Sequence, residues 1–190
     1  SFLLDQKSDI KAAFVHKRLR EYPVSGGAST ARISTRHDQI RDMAASLLKA
    51  LNWFGIAMVE FKLDPRDNTP KLMEINPRFW GSLALAIEAG VNFPYLLYKI
   101  ALGESFKPVE TYRLGVICRW MLPGDLLHYI RNPQRRRISK DFFRFRGDRL
   151  YYDIISLNDP LPAVVKLLSP ITFLYDPDMK ARLKARKGVI

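Results

Sequence analysis

Between Leu63 and Lys71 the chain places Asp64, Pro65, Asp67, Asn68 and Pro70, residues that favour a turn over a continued strand. On either side lie short apolar-rich segments, Ile56 to Leu63 and Lys71 to Asn76. Two such segments joined by turn chemistry read as an antiparallel hairpin. A turn centred near Asp67 sets residue 63 opposite 71 and residue 60 opposite 74. Side chains alternate along a strand, so Glu74 and Asn76 share a face. Glu60 and Glu74 then stand directly opposite each other, which is unfavourable for like charges unless something compensates. A divalent cation would do so, because two carboxylates and an amide oxygen are hard ligands suited to Mg2+. Pro77 stops the ladder, and the planar guanidinium of Arg78 beyond it suits phosphate or carboxylate. The alternative is an exposed hairpin whose glutamates face solvent beside Lys62 and Lys71. The apolar neighbours Met58, Phe61, Leu72, Met73 and Ile75 predict instead that the hairpin is largely buried.

The other elements follow from periodicity. Ile40, Met43, Ala44, Leu47, Leu48 and Leu51 repeat at the spacing of one helical face, predicting a helix from Thr35 to Leu51. Thr35 and Asp38 suit its start, and Asn52 and Gly55 lie where it should stop. Ser1 to Asp5 reads as the end of a strand, Lys11 to Arg20 as a second strand, and Thr30 to Ser34 as a third. Pro23, Ser25, Gly26 and Gly27 break the pattern between the last two. Helices are expected over Ser82 to Gly90 and Phe93 to Leu102, and a strand over Tyr112 to Met121. Leu126 to Ile130 and Leu161 to Leu168 read as short helices, and Phe142 to Tyr152 as a strand or hairpin. The expected fold is α+β, a mainly antiparallel sheet with helices on one face, over residues 1–108. A less regular extension is expected over residues 109–190.

With 47% hydrophobic and 26% charged residues, the 190-residue chain has a globular composition and not a disordered one. No apolar run is long enough to span a bilayer. The single cysteine, Cys118, lies in an apolar run and excludes an internal disulfide or a CxxC metal site, which fits a reducing cytoplasm. The net charge of +12 is concentrated late, with eight Arg or Lys against two Asp from Arg131 to Arg149 and five more from Lys180 to Lys187. Such blocks suit a solvated face or an interface, and no nucleic-acid recognition motif accompanies them. A basic binding module for nucleic acid, an anionic membrane surface or an acidic protein is the alternative from another functional class.

Glu60-Phe61, followed by Glu74-Ile75-Asn76-Pro77-Arg78-Phe79-Trp80-Gly81-Ser82, resembles the metal-binding signature of the ATP-grasp superfamily, especially the branch of carbamoyl-phosphate synthase and biotin carboxylase. The similarity spans roughly Ala12 to Glu104. It implies that Glu60, Glu74 and Asn76 bind the Mg2+ (or Mn2+) that bridges ATP phosphates, and that Arg78 contacts phosphate or the acyl substrate. It implies a carboxylate ligase that phosphorylates its substrate to an acyl phosphate, which an amine or similar acceptor attacks. The basic segment His16-Lys17-Arg18-Leu19-Arg20-Glu21 resembles the strand that precedes the substrate loop in this branch. On a regular strand His16, Arg18 and Arg20 share one face, and the resemblance implies that Arg18 and Arg20 neutralise transferred phosphate. An ordinary charged strand face is the other reading, with His16 structural. Ser25-Gly26-Gly27-Ala28-Ser29 suits a backbone anion wrap or a simple turn, and is not a P-loop. Phe79 and Trp80 are expected to pack. The first ATP-grasp lobe is expected to lie outside these residues, so that they alone should bind ATP weakly and lack activity.

Overall fold

A computed structural model of the chain describes residues 1–156, 158–166 and 168. It groups into two compact units, residues 1–153 and 154–190. The first unit holds eight strands: β1 (Phe2–Leu4), β2 (Ile10–Ala13), β3 (His16–Tyr22), β4 (Ala28–Ser34), β5 (Gly55–Leu63), β6 (Pro70–Asn76), β7 (Ile117–Arg119) and β8 (Leu150–Tyr152). Its helices are α1 (Asp38–Ala50), α2 (Leu83–Ala89), α3 (Phe93–Ala101), α4 (Leu126–Arg131) and α5 (Arg135–Phe142), with a kinked helical turn, Met121–Asp125, leading into α4. In the second unit residues 161–166 are helical. Residue 168 is helical too, while residue 167 of the helix expected there and the basic run Lys180 to Lys187 lie outside the described residues.

The α+β class holds, with the strands in two four-stranded sheets ordered β2-β1-β5-β6 and β3-β4-β7-β8. All pairings within these sheets are antiparallel except that of β7 with β8. The strand expected over Lys11 to Arg20 is two strands in different sheets. Phe14, fully buried between them, stacks on His16 and packs edge-on against Tyr112. The Tyr112 hydroxyl accepts from the Val15 amide at 3.0 Å and donates to the Thr35 carbonyl at 2.8 Å, which pins the switch between sheets.

Alternation along β1 builds two cores. Phe2 and Leu4 meet Ala44 and Leu48 of α1 on one side, with Ala13 and Ala57. Leu3 faces the other side, where Met58 of β5, Trp80 from the segment before α2, Leu85 of α2, and Phe93 and Leu96 of α3 gather. The first sheet is thus covered on both faces. Helix α1 begins later than expected, because the Thr35 carbonyl is committed to Tyr112. His37 caps it instead, its Nδ1 accepting from the Ile40 amide at 3.4 Å. Leu51 closes the other end, and Asn52 adopts a left-handed φ of 50°.

Two late expectations are corrected. The strand expected from Tyr112 to Met121 pairs only over Ile117–Arg119. Phe142 to Tyr152 is no hairpin: Phe142 ends α5, and Leu150–Tyr152 joins β7 in parallel. Helix α5 was not expected, since Arg135-Arg136-Arg137-Ile138-Ser139-Lys140-Asp141-Phe142 offers no broad apolar stripe. It is anchored by Phe142, stacked on Tyr129 at a centroid distance of 4.2 Å.

Candidate metal and nucleotide site

The hairpin of β5 and β6 pairs Lys62 with Lys71, Phe61 with Leu72, Glu60 with Glu74, Val59 with Ile75 and Met58 with Asn76. The turn sits one residue away from the expected position, so Leu63 faces Pro70 and not Lys71. A register shift follows Glu60, leaving Met73 as the extra residue of a bulge. That bulge absorbs the offset and sets Glu60 opposite Glu74 as expected. Residues directly opposite point to the same side. Met58, Glu60, Glu74 and Asn76 therefore share the face opposite α1. The hairpin is not largely buried, contrary to expectation. Ala57 and Met58 at its root are buried, while Leu63, Leu72 and Met73 are exposed. The reason is position: β6 is the edge strand, and the α1 core reaches only Val59, Phe61 and Ile75.

The like charges are compensated by the protein itself. The Arg18 Nη2 donates to Glu60 Oε2 at 3.0 Å, and the Asn76 amide donates to Glu74 Oε1 at 2.7 Å. The other amino group of Arg18 donates to Glu21 Oε2 at 2.9 Å and to the Gly27 carbonyl at 3.0 Å. Arg18 thus ties β5, β3 and the β3–β4 turn together. Gly27 is required at that turn, since a Cβ there would lie 2.3 Å from the Tyr22 carbonyl oxygen. Glu21 and the Gly27 carbonyl were missed as members of this group, although both lie in segments singled out in the sequence.

Arg18 and Arg20 reach different partners. Register shifts around Arg20 break the alternation that placed them on one face. Arg20 is buried and donates to both carboxylate oxygens of Asp125, at 2.6 and 2.8 Å. Asp125 is fully buried and also accepts from Arg119 at 2.7 Å. No motif pointed to Asp125, because the pairing spans 105 residues of sequence. Arg78 is exposed beyond β6, with Nη1 donating to the Phe79 carbonyl at 3.1 Å. Trp80 packs as expected, edge-on to Phe93, whereas Phe79 is 40% exposed. His16 Nε2 lies 3.0 Å from Ser82 Oγ at the start of α2. Burial first, then the charges of the Ser1 α-amino group, Arg32 and Arg18, lower the His16 pKa to about 3, so the ring is neutral near pH 7 and structural in character. Cys118 is buried, and desolvation raises its pKa far above the ordinary thiol value. That thiol is inert at neutral pH.

The donor set fits a hard divalent cation. Two carboxylates on one sheet face supply charge and oxygen, and rotation of the Asn76 amide supplies a third oxygen. Among the described residues no group of three or more His, Cys, Asp or Glu could hold a metal. A cation here would therefore take much of its shell from substrate oxygens and water. Among the same residues no helix is long and apolar enough to cross a membrane.

The mainly antiparallel sheet thus carries paired glutamates, an Asn one pleat along and an Arg beyond the strand end. The chain belongs to the family described as "ATP-grasp in the biosynthetic pathway with Ter operon", whose model matches residues 9–121. It is similar to carbamoyl phosphate synthase large chains. That of Thermomicrobium roseum is 30% identical over 100 residues, covering 44% of this chain and 9% of that protein. The Sulfurisphaera tokodaii protein is 34% identical over 86 residues, covering 45% and 8%. For Methanobrevibacter smithii the identity is 30% over 110 residues, covering 49% and 10%. The chain thus spans about a tenth of the length of these curated relatives.

Proposed function

We propose that residues 1–153 form one wall of the Mg-ATP site of a carboxylate ligase. The carrying observation is the direct opposition of Glu60 and Glu74 beside Arg18, inside the segment that the ATP-grasp family matches. Glu60, Glu74 and Asn76 would hold the cation. Bound there, Mg2+ would supply Lewis-acid neutralisation of charge on the ATP phosphates. Arg78, exposed just past the strand end, would donate to a phosphate or to the carboxylate substrate. Arg18 is within reach of the same group through its contact with Glu60. Transfer of the γ-phosphoryl group to a carboxylate would give an acyl phosphate and ADP. An amine or similar nucleophile would then displace inorganic phosphate. No Ser, Cys or His nucleophile is needed, because positioning and charge stabilisation carry phosphoryl transfer.

The test is made in the full-length protein. Glu74→Gln keeps size and removes one negative ligand. ADP formation at saturating Mg2+ should fall by roughly a hundredfold or more, the scale lost with a group that stabilises transition-state charge. Far-ultraviolet circular dichroism should be unchanged. Turnover within a few-fold of wild type would overturn the assignment of this carboxylate.

A further inference from the structure

Two arginines two residues apart on β3 hold their carboxylates in opposite ways. The Arg20–Asp125 pair is buried, with side-chain exposures of 9% and 0%. The Arg18–Glu60 pair is partly open, with exposures of 39% and 28%. Breaking a buried pair is costly, whereas an open pair contributes little and exchanges readily. Formal charge also changes at the second site. Arg18 with Glu21, Glu60 and Glu74 carries two net negative charges, which a divalent cation would neutralise. A guanidinium left on Glu60 would then face the cation, while a phosphate would satisfy both.

We propose that Arg18 is the exchangeable counter-ion of this site, neutralising Glu60 when no cation is bound and passing to a nucleotide phosphate when one is. This rests on the reading of Glu60 and Glu74 as cation ligands. Because Arg18 also donates to the Gly27 carbonyl, the transfer couples cation loading to the β3–β4 turn, residues 23–27. Arg18 is therefore a positioning residue that makes the cation and the nucleotide bind as a pair. A free cation must displace Arg18, whereas a cation arriving with phosphate supplies the guanidinium with its new partner.

The test titrates full-length protein with Mn2+ alone, reading free Mn2+ by electron paramagnetic resonance. Arg18→Gln should tighten Mn2+ binding by about two- to fivefold, the range that an open ion pair is worth. It should also weaken ATP binding in the presence of Mn2+. Lys17→Gln removes an equal charge from the neighbouring exposed position and should leave Mn2+ affinity unchanged. In the wild-type protein, phenylglyoxal labelling of Arg18 should rise with Mn2+ and fall when ATP is added. If Arg18→Gln behaves as Lys17→Gln and the labelling ignores Mn2+, the exchange is refuted while the cation site stands. If wild-type and Glu74→Gln proteins bind Mn2+ alike, the cation site fails, and the exchange with it.

Discussion

At the scale of residues, the fate of a charge is set by burial and not by sequence neighbourhood. Arg18 and Arg20 look equivalent in His16-Lys17-Arg18-Leu19-Arg20-Glu21, yet one reaches Glu60 and the other is enclosed with Asp125. Asp125 accepts from Arg20 and Arg119 together. Asp125→Asn keeps the shape and removes the charge that both guanidiniums need. It should destabilise the fold by about 3–5 kcal/mol, the cost of leaving buried charge uncompensated. Urea denaturation measures this, and a loss below about 1 kcal/mol would show that water compensates the pair. The Glu60–Glu74 opposition was legible because turn residues limit where a hairpin can fold. The Met73 bulge was not legible, and it cancelled the one-residue error in the turn. Asp125 was illegible because Arg20, which it holds through both carboxylate oxygens, lies 105 residues away in sequence.

At the scale of elements, periodicity found what lies against an apolar surface. Helix α1 was evident because Ala44 and Leu48 are buried along one face. Leu48 is fully buried against the Phe2, Leu4 and Ala57 core. Leu48→Ala should cost about 3–5 kcal/mol, as a buried leucine truncation leaves a cavity. The shift in denaturation midpoint measures it, and a change under about 1 kcal/mol would mean that α1 is not fixed there. Helix α5 escaped notice because Phe142 alone is buried in it. Strand β8 lies inside the strand or hairpin expected over Phe142 to Tyr152, but its short extent and its parallel pairing with β7 carry no local turn signal. The break after Ala13 escaped because Phe14 and Val15 are ordinary strand residues, and only tertiary partners reveal that the chain changes sheet there.

At the scale of the whole molecule, β3 is what joins fold to site. It belongs to the second sheet, yet its Arg18 reaches the hairpin of the first. One face of that hairpin meets α1, and the other presents Glu60, Glu74 and Asn76. The central claim is that this acidic pair binds a divalent cation together with ATP. Thermal unfolding of the full-length protein tests it most directly, first in EDTA and then with Mg2+ and a non-hydrolysable ATP analogue. A ligand that binds only the folded state raises the midpoint. Wild-type protein should show that rise. Glu74→Gln should lose it while unfolding in EDTA at or above the wild-type midpoint, because a like-charge cross-strand pair has been relieved. An undiminished Mg-nucleotide shift in Glu74→Gln would contradict the claim.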